Sequence, residues 1–96
     1  MKMVLIVYDT GAEALVEEAL DRAGAEGWTR ITDVIGKGRT GIRMGDPVFP
    51  GTNNMMVAVM DEQTLLDLRE ELIGIPDEFL KQLPFRVFVS DCEMLI

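Results

Sequence analysis

The chain has 96 residues, of which 48% are hydrophobic and 27% charged, a balance typical of one globular domain. Seventeen acidic against nine basic residues give a net charge of −8, which disfavours binding to nucleic acid or to an anionic membrane, because phosphate contacts need a basic face. One cysteine excludes an internal disulfide and the lack of histidine removes imidazole-based triads and zinc motifs, so we expect a cytoplasmic protein that is not an enzyme.

The first half of the chain predicts a strand, a helix and a second strand. Residues 2–8 are apolar on both faces, as in a central strand. Residues 11–23 carry apolar side chains at helical spacing, and Thr10 with Glu13 matches a capping box at the start of this helix. Glu13 is then expected on the solvated face of the helix. Residues 28–35 alternate Thr, Ile and Val and predict the second strand.

The second half predicts a long loop, a third strand and a second helix. Residues 36–53 contain five glycines and two prolines, which exclude a helix and indicate a loop. Residues 54–60 are again apolar on both faces. Asp61 is expected to cap a helix that turns Leu65, Leu68 and Leu72 inward and ends at Gly74.

A short extra helix and a fourth strand complete the predicted chain. Pro76 fits the first turn of a helix that extends to about Gln82. Residues 85–90 form the last strand, and 91–96 form a tail. The order β-α-β-β-α-β predicts one α+β domain over residues 1–96 with a ferredoxin-like fold, a four-stranded antiparallel sheet with both helices on one face and strands one and three in its centre.

One face of this sheet has no helix to cover it. Either Leu5 and Val7, or Met3 and Leu5, point to that face, depending on the register of the first strand. A monomer would expose a large apolar patch there. We expect oligomerisation through the sheets, with coverage by the C-terminal tail as the alternative.

The loop after the second strand concentrates positive charge in an acidic chain. Its three cations and one carboxylate give it a charge of +2, and these residues are Lys37, Arg39, Arg43 and Asp46. Glycines among them expose backbone amides, and amides with cations can cradle an anion. The alternative is a solvated loop whose cations balance acidic neighbours.

A metal site is disfavoured. Cys92 lies between Asp91 and Glu93, and a thiolate with two carboxylates can bind a metal. Neighbouring carboxylates disfavour the thiolate, however, so an inert cysteine is expected and no metal or other cofactor is assigned.

Two short motifs stand out between Ala14 and Gly41, Glu-Gly-Trp-Thr at 26–29 and Gly-Lys-Gly-Arg at 36–39 after the second strand. Through these motifs the stretch resembles the nitrogen regulatory protein P-II superfamily. In that superfamily the Gly-x-Gly-Arg element opens the T-loop, which contacts target proteins. The usual loop tyrosine is absent, and Gly-Ile-Pro-Asp-Glu-Phe stands in place of the glycine-lysine phosphate loop, so the chain looks like a divergent member.

The resemblance implies a homotrimer with a regulatory role. It also implies that four residues lie near the intersubunit ligand cleft of the family, namely Thr29, Gly36, Gly38 and Arg39. With the charge of the loop, this predicts an anionic ligand that binds through Arg39 with Lys37 or Arg43 assisting, and the first candidates are ATP, ADP and AMP.

The loop over 37–53 is predicted to meet a target protein, either a membrane transporter or an enzyme. Phe49 is the candidate contact, and its alternative is packing onto its own or a neighbouring subunit. Two other functions stay open, a CutA-like or PII-like protein linked to metal tolerance or efflux, and an enzyme on this scaffold such as an acylphosphatase. The lack of histidine disfavours the first, and no acylphosphatase signature is found. We expect no membrane insertion, since no apolar run approaches the roughly 20 residues of a transmembrane helix.

Overall fold

A computed structural model describes residues 1–38, 41–43, 53–76 and 85–96. The strands are β1 (Lys2–Asp9), β2 (Thr29–Val34), β3 (Gly36–Gly38), β4 (Gly41–Arg43), β5 (Asn53–Met60) and β6 (Phe85–Asp91). The helices are α1 (Glu13–Ala23) and α2 (Glu62–Ile73), and the 3-10 turn Thr10–Ala12 precedes α1.

Four strands form an antiparallel sheet in the order β2-β5-β1-β6. Lys2 at the start of β1 lies opposite Met60 of β5 and Asp91 of β6. β1 and β5 occupy the centre, as their apolar character on both faces predicts. With both helices on one face, the βαββαβ order confirms the predicted ferredoxin-like α+β fold.

The core lies between the sheet and the two helices. Alternate residues of β1 and β5 point to the helices, and α1 turns its apolar stripe onto them. The buried apolar side chains of these three elements are Val4, Ile6, Tyr8, Val16, Ala19, Leu20, Ala23, Met56, Ala58 and Met60. α2 adds the buried Leu68, and its neighbours Leu65 and Leu72 are partly buried against the same cluster. The leucine spacing of this helix therefore predicted its inner face correctly.

The ends of α2 are as the sequence predicts. The Asp61 carboxylate accepts a hydrogen bond from the Thr64 backbone N–H at 2.8 Å, which satisfies one of the donors left open by the first helical turn. Gly74 follows the last residue of the helix. Among the described residues, neither helix is long and apolar enough to cross a bilayer.

The predicted capping box at the start of α1 is wrong. Ala12 precedes α1 and makes no side-chain cap hydrogen bond. Asp9 instead accepts from the Gly11 backbone N–H at 2.8 Å and caps the 3-10 turn. The Glu13 side chain turns away from Thr10 toward the sheet, where three side chains donate to it.

The sheet face opposite the helices is apolar and largely uncovered. Met3, Leu5 and Val7 all lie on it, because Val4 and Ile6 between them point to the core. Paired strands add Ile31, Met55, Val57, Val59 and Phe88 to this face. Phe88 is 57% exposed although the tail follows its strand, and Leu95 in that tail is 93% exposed.

The stretch predicted as one loop over 36–53 contains a two-stranded ribbon formed by β3 and β4. Gly36 lies opposite Arg43, Lys37 opposite Ile42, and Gly38 opposite Gly41. Glycines weaken a strand but do not exclude one, so the prediction of a loop is wrong for this ribbon. The predicted helix from Pro76 to Gln82 lies, after Pro76, outside the described residues.

Candidate ligand site

The glycine-rich ribbon follows directly on β2 and contains several of the predicted ligand residues. Gly36, Lys37 and Gly38 form β3, and Arg43 ends β4. Lys37 pairs with Ile42, and Arg43 pairs with Gly36, so the two cationic residues occupy neighbouring register positions. The predicted contacts Arg39 and Phe49 lie outside the described residues.

Thr29 lies at the opposite end of β2 from the ribbon. It is exposed and pairs with Val57. A strand rises about 3.3 Å per residue, so Thr29 and Gly36 are separated by a distance on the order of 20 Å. Within one chain, the structure therefore does not bring Thr29 together with the ribbon residues.

A polar cluster centred on Glu13 lies between α1 and the sheet, and the sequence did not predict it. Glu13 Oε2 accepts hydrogen bonds from the Tyr8 hydroxyl at 2.6 Å and from Asn54 Nδ2 at 2.7 Å. Its Oε1 accepts from Arg30 Nη1 at 2.7 Å. The Glu13 side chain is only 25% exposed, which corrects its predicted place on the solvated helix face.

The cluster keeps Glu13 ionised. Burial alone raises the pKa of this carboxyl, but the hydrogen bonds from Tyr8, Asn54 and Arg30 outweigh burial, and the net pKa is lowered. Burial, reinforced by the neighbouring carboxylate, raises the pKa of the Tyr8 hydroxyl. The same carboxylate raises the pKa of Arg30, whose guanidinium also lies 5.5 Å from the centre of the Trp28 ring.

The cluster extends to the end of β2 through Asn54. Asn54 is 6% exposed, and its Oδ1 accepts a hydrogen bond from the Asp33 backbone N–H at 3.0 Å. Asp33 has φ 55°, and the register between β2 and β5 shifts between Ile31 and Val34. A β-bulge held by Asn54 therefore lies immediately before the ribbon.

One member of this cluster, Asn54, could have been identified from the sequence. Asn54, Met56, Ala58 and Met60 are the buried positions of β5. A polar residue in that apolar row requires a hydrogen-bond partner, and this requirement could have pointed to a buried polar network. The identity of the partner could not be read locally, because Glu13 precedes Asn54 by 41 positions.

The Cys92 region shows no metal-binding arrangement. Lys2 forms a salt bridge with the Asp91 carboxylate, and the Cys92 backbone N–H donates to the Met1 carbonyl at 3.1 Å. In the part of the chain that the structure describes, no group of three or more His, Cys, Asp or Glu side chains could hold a metal ion.

Comparison with known proteins identifies the family. The family model described as nitrogen regulatory protein P-II matches residues 1–95. The chain belongs to this family. Among curated proteins, the comparison found no significant match.

Solved structures of PII-like proteins share the fold. The structure of CPII, a nitrogen regulatory PII-like protein from Thiomonas intermedia K12, bound to ADP, AMP and bicarbonate, is 25% identical, with a TM-score of 0.74 over 93% of this chain and 82% of that chain. A second CPII structure, bound to ADP and bicarbonate, is 26% identical, with a TM-score of 0.73 and the same coverage. A PII-like signalling protein from Thermus thermophilus is 21% identical, with a TM-score of 0.67 over 93% of this chain and 83% of that chain.

Proposed function

We propose that this protein is a homotrimeric, non-enzymatic P-II signalling protein of the cytoplasm. It binds an adenine nucleotide in a cleft between subunits and meets a target protein, a transporter or an enzyme, through the 37–53 segment. The observation that carries this proposal is the cationic glycine ribbon that follows β2 in a member of the P-II family. The CPII structures, which contain ADP, AMP and bicarbonate, support the choice of ligand.

Charge supports an anionic ligand at the ribbon. The segment 36–53 carries +2 in a chain whose net charge is −8, so it is the region where an anion meets the least repulsion. Glycine at positions 36, 38 and 41 allows the backbone to approach a ligand closely. Arg39 supplies the planar donor pair that suits phosphate, and Lys37 or Arg43 assists.

Two observations support a trimer with the site between subunits. The open sheet face leaves several large apolar side chains exposed, and contact with another copy would bury them. Thr29, in the predicted cleft, lies about one strand length from the ribbon of its own chain. It can share a site with Gly36 and Gly38 only when it comes from a neighbouring chain.

A regulatory role fits the chemistry of the described residues. Glu13, the half-buried carboxylate, is held by three donors and is not available to a substrate. Every buried side-chain nitrogen and oxygen in the described ranges has a hydrogen-bond partner.

Phe49 is proposed as the side chain that contacts the target.

Calorimetry with ATP, ADP and AMP tests this function. We expect at least one nucleotide to bind the parent protein, and Arg39→Ala to weaken it by about ten- to a hundredfold, because a charge-assisted contact is lost. Arg22→Ala is the matched control, since it removes the same charge from the surface of α1. Unchanged affinity in Arg39→Ala contradicts the site, and the absence of binding at millimolar nucleotide contradicts the proposed ligand.

A further inference from the structure

A hydrogen-bond relay connects the start of α1 with the end of β2. It runs from Glu13 through the two ends of the Asn54 side-chain amide to the Asp33 backbone N–H, over distances of 2.7 and 3.0 Å. A carboxylate can only accept and a backbone N–H can only donate. Only one orientation of the Asn54 amide therefore satisfies both neighbours, and Glu13 selects it.

Asp33 is the residue at which β2 departs from the regular sheet. Among the described residues, it is the one residue other than glycine with a positive φ, 55°. Val34 resumes the pairing with β5 opposite Asn53, and the ribbon begins two residues later at Gly36. The direction in which the chain enters the ribbon therefore depends on the backbone conformation at Asp33.

We propose that Glu13 and Asn54 are positioning residues for the ligand site, because they hold the Asp33 bulge and thereby fix the direction of the glycine ribbon. This inference rests on the proposed function insofar as the ribbon binds the ligand. Tyr8 and Arg30 complete the relay, since they donate the other two hydrogen bonds to Glu13 and hold its carboxylate against β1 and β2. The relay thus joins three strands and one helix at the base of the ribbon.

Asn54→Asp breaks the relay with little change in shape. The new carboxylate can still accept from the Asp33 N–H, but it cannot donate to Glu13, and two carboxylates then face each other. In the free protein we expect hydrogen exchange at the Asp33 amide to become roughly tenfold faster, because repulsion between the two carboxylates displaces the side chain at position 54 and weakens its hydrogen bond to the Asp33 N–H. Amides in the middle of β1 report on global unfolding and correct for any general loss of stability.

The double variant Glu13→Gln with Asn54→Asp is the decisive rescue. It reverses the polarity of the bond, because the new amide at position 13 donates and the new carboxylate at position 54 accepts, while the net charge stays that of the parent. We expect Asp33 exchange to return close to the parent rate, which a merely disruptive substitution would not allow. Glu18→Gln, the same change on the exposed face of α1, is the matched control and should leave Asp33 unchanged.

Nucleotide titrations of the same variants separate this inference from the proposed function. We expect Asn54→Asp to weaken the nucleotide and the double variant to recover the affinity. The inference is overturned if Asp33 exchange in Asn54→Asp stays at the parent rate, or if the double variant is no better than Asn54→Asp. It is also overturned if the nucleotide binds Asn54→Asp as tightly as the parent.

If the parent binds no nucleotide, the proposed function fails, and Asp33 exchange still decides whether the relay holds the bulge. Should Asn54→Asp fail to fold, Glu13→Gln alone gives the comparison with the double variant.

Discussion

Glu13 shows how one half-buried carboxylate can organise several elements. Its two oxygens accept from Tyr8, Arg30 and Asn54, which come from β1, β2 and β5. Removal of a carboxylate from such a site leaves its donors without an acceptor, and this usually costs more free energy than the hydrogen bond itself contributes. Glu13 therefore stabilises the fold through these hydrogen bonds, in addition to contributing to the negative charge of the surface.

The lowered pKa of Glu13 predicts how stability depends on pH. Because the folded-state pKa lies below the ordinary value of 4.5, the ionised carboxylate stabilises the fold above that pH. The stabilisation is lost as pH falls through the folded-state pKa. We expect Glu13→Gln to lower the free energy of unfolding at pH 7 by about 1.5–3 kcal/mol, and the difference from the parent to shrink steadily below pH 4.5.

Urea unfolding of the parent and of Glu13→Gln between pH 3 and pH 7 measures this dependence. Glu18→Gln serves as the control and should change stability little, because its ion pair with Arg22 is exposed to solvent. A difference between parent and Glu13→Gln that does not vary with pH contradicts the role assigned to the charged carboxylate.

Local motifs predicted Glu13 poorly, for a physical reason. The spacing of Thr10 and Glu13 fits a capping box, and a capping box depends on nearby residues alone. Asn54 and Arg30 offer the carboxylate competing donors that only the folded sheet brings close. A short sequence pattern predicts only hydrogen bonds between nearby residues, so it cannot predict that a more distant donor will displace the local one.

At the scale of elements, the N-terminus of α2 offers a simple test of a predicted cap. Asp61 accepts from the Thr64 N–H, and this backbone hydrogen bond lowers the pKa of the Asp61 carboxyl. We expect Asp61→Ala to lower Tm by about 4–8 °C, since loss of a helix cap destabilises a domain of this size by that order. Asp67→Ala, in the middle of the same helix, should have a smaller effect. Equal shifts in the two variants contradict the cap, and calorimetric melting measures both.

The main sheet and helices were predictable because their patterns are long and regular. β1 and β5 are apolar on both faces, and α1 and α2 repeat apolar residues at helical spacing. The β3–β4 ribbon was missed because glycine carries no periodic signal. The bulge at Asp33 was missed because it depends on Asn54, which lies on another strand.

At the scale of the whole molecule, the sheet divides the chain into two unlike surfaces. The helical side closes the core, and its outer surface is rich in acidic side chains. The other side exposes apolar residues of all four strands, among them Ile31, Val59 and Phe88. The sequence indicated an open apolar face but left the register of β1 undecided. The structure places Leu5 on that face, so an acidic residue there should block assembly without unfolding the chain.

Native mass spectrometry with adenine nucleotide tests whether the ligand site forms between the subunits of a trimer. We expect the parent to appear as three chains of 10.7 kDa each, about 32 kDa together, with up to three nucleotides bound. Leu5→Asp should give a folded monomer, checked by circular dichroism, that binds no nucleotide. Leu66→Asp, the same change at an exposed position of α2, should retain both the trimer and the ligand. A monomeric parent, or a Leu5→Asp monomer that still carries nucleotide, would contradict a ligand site formed between subunits.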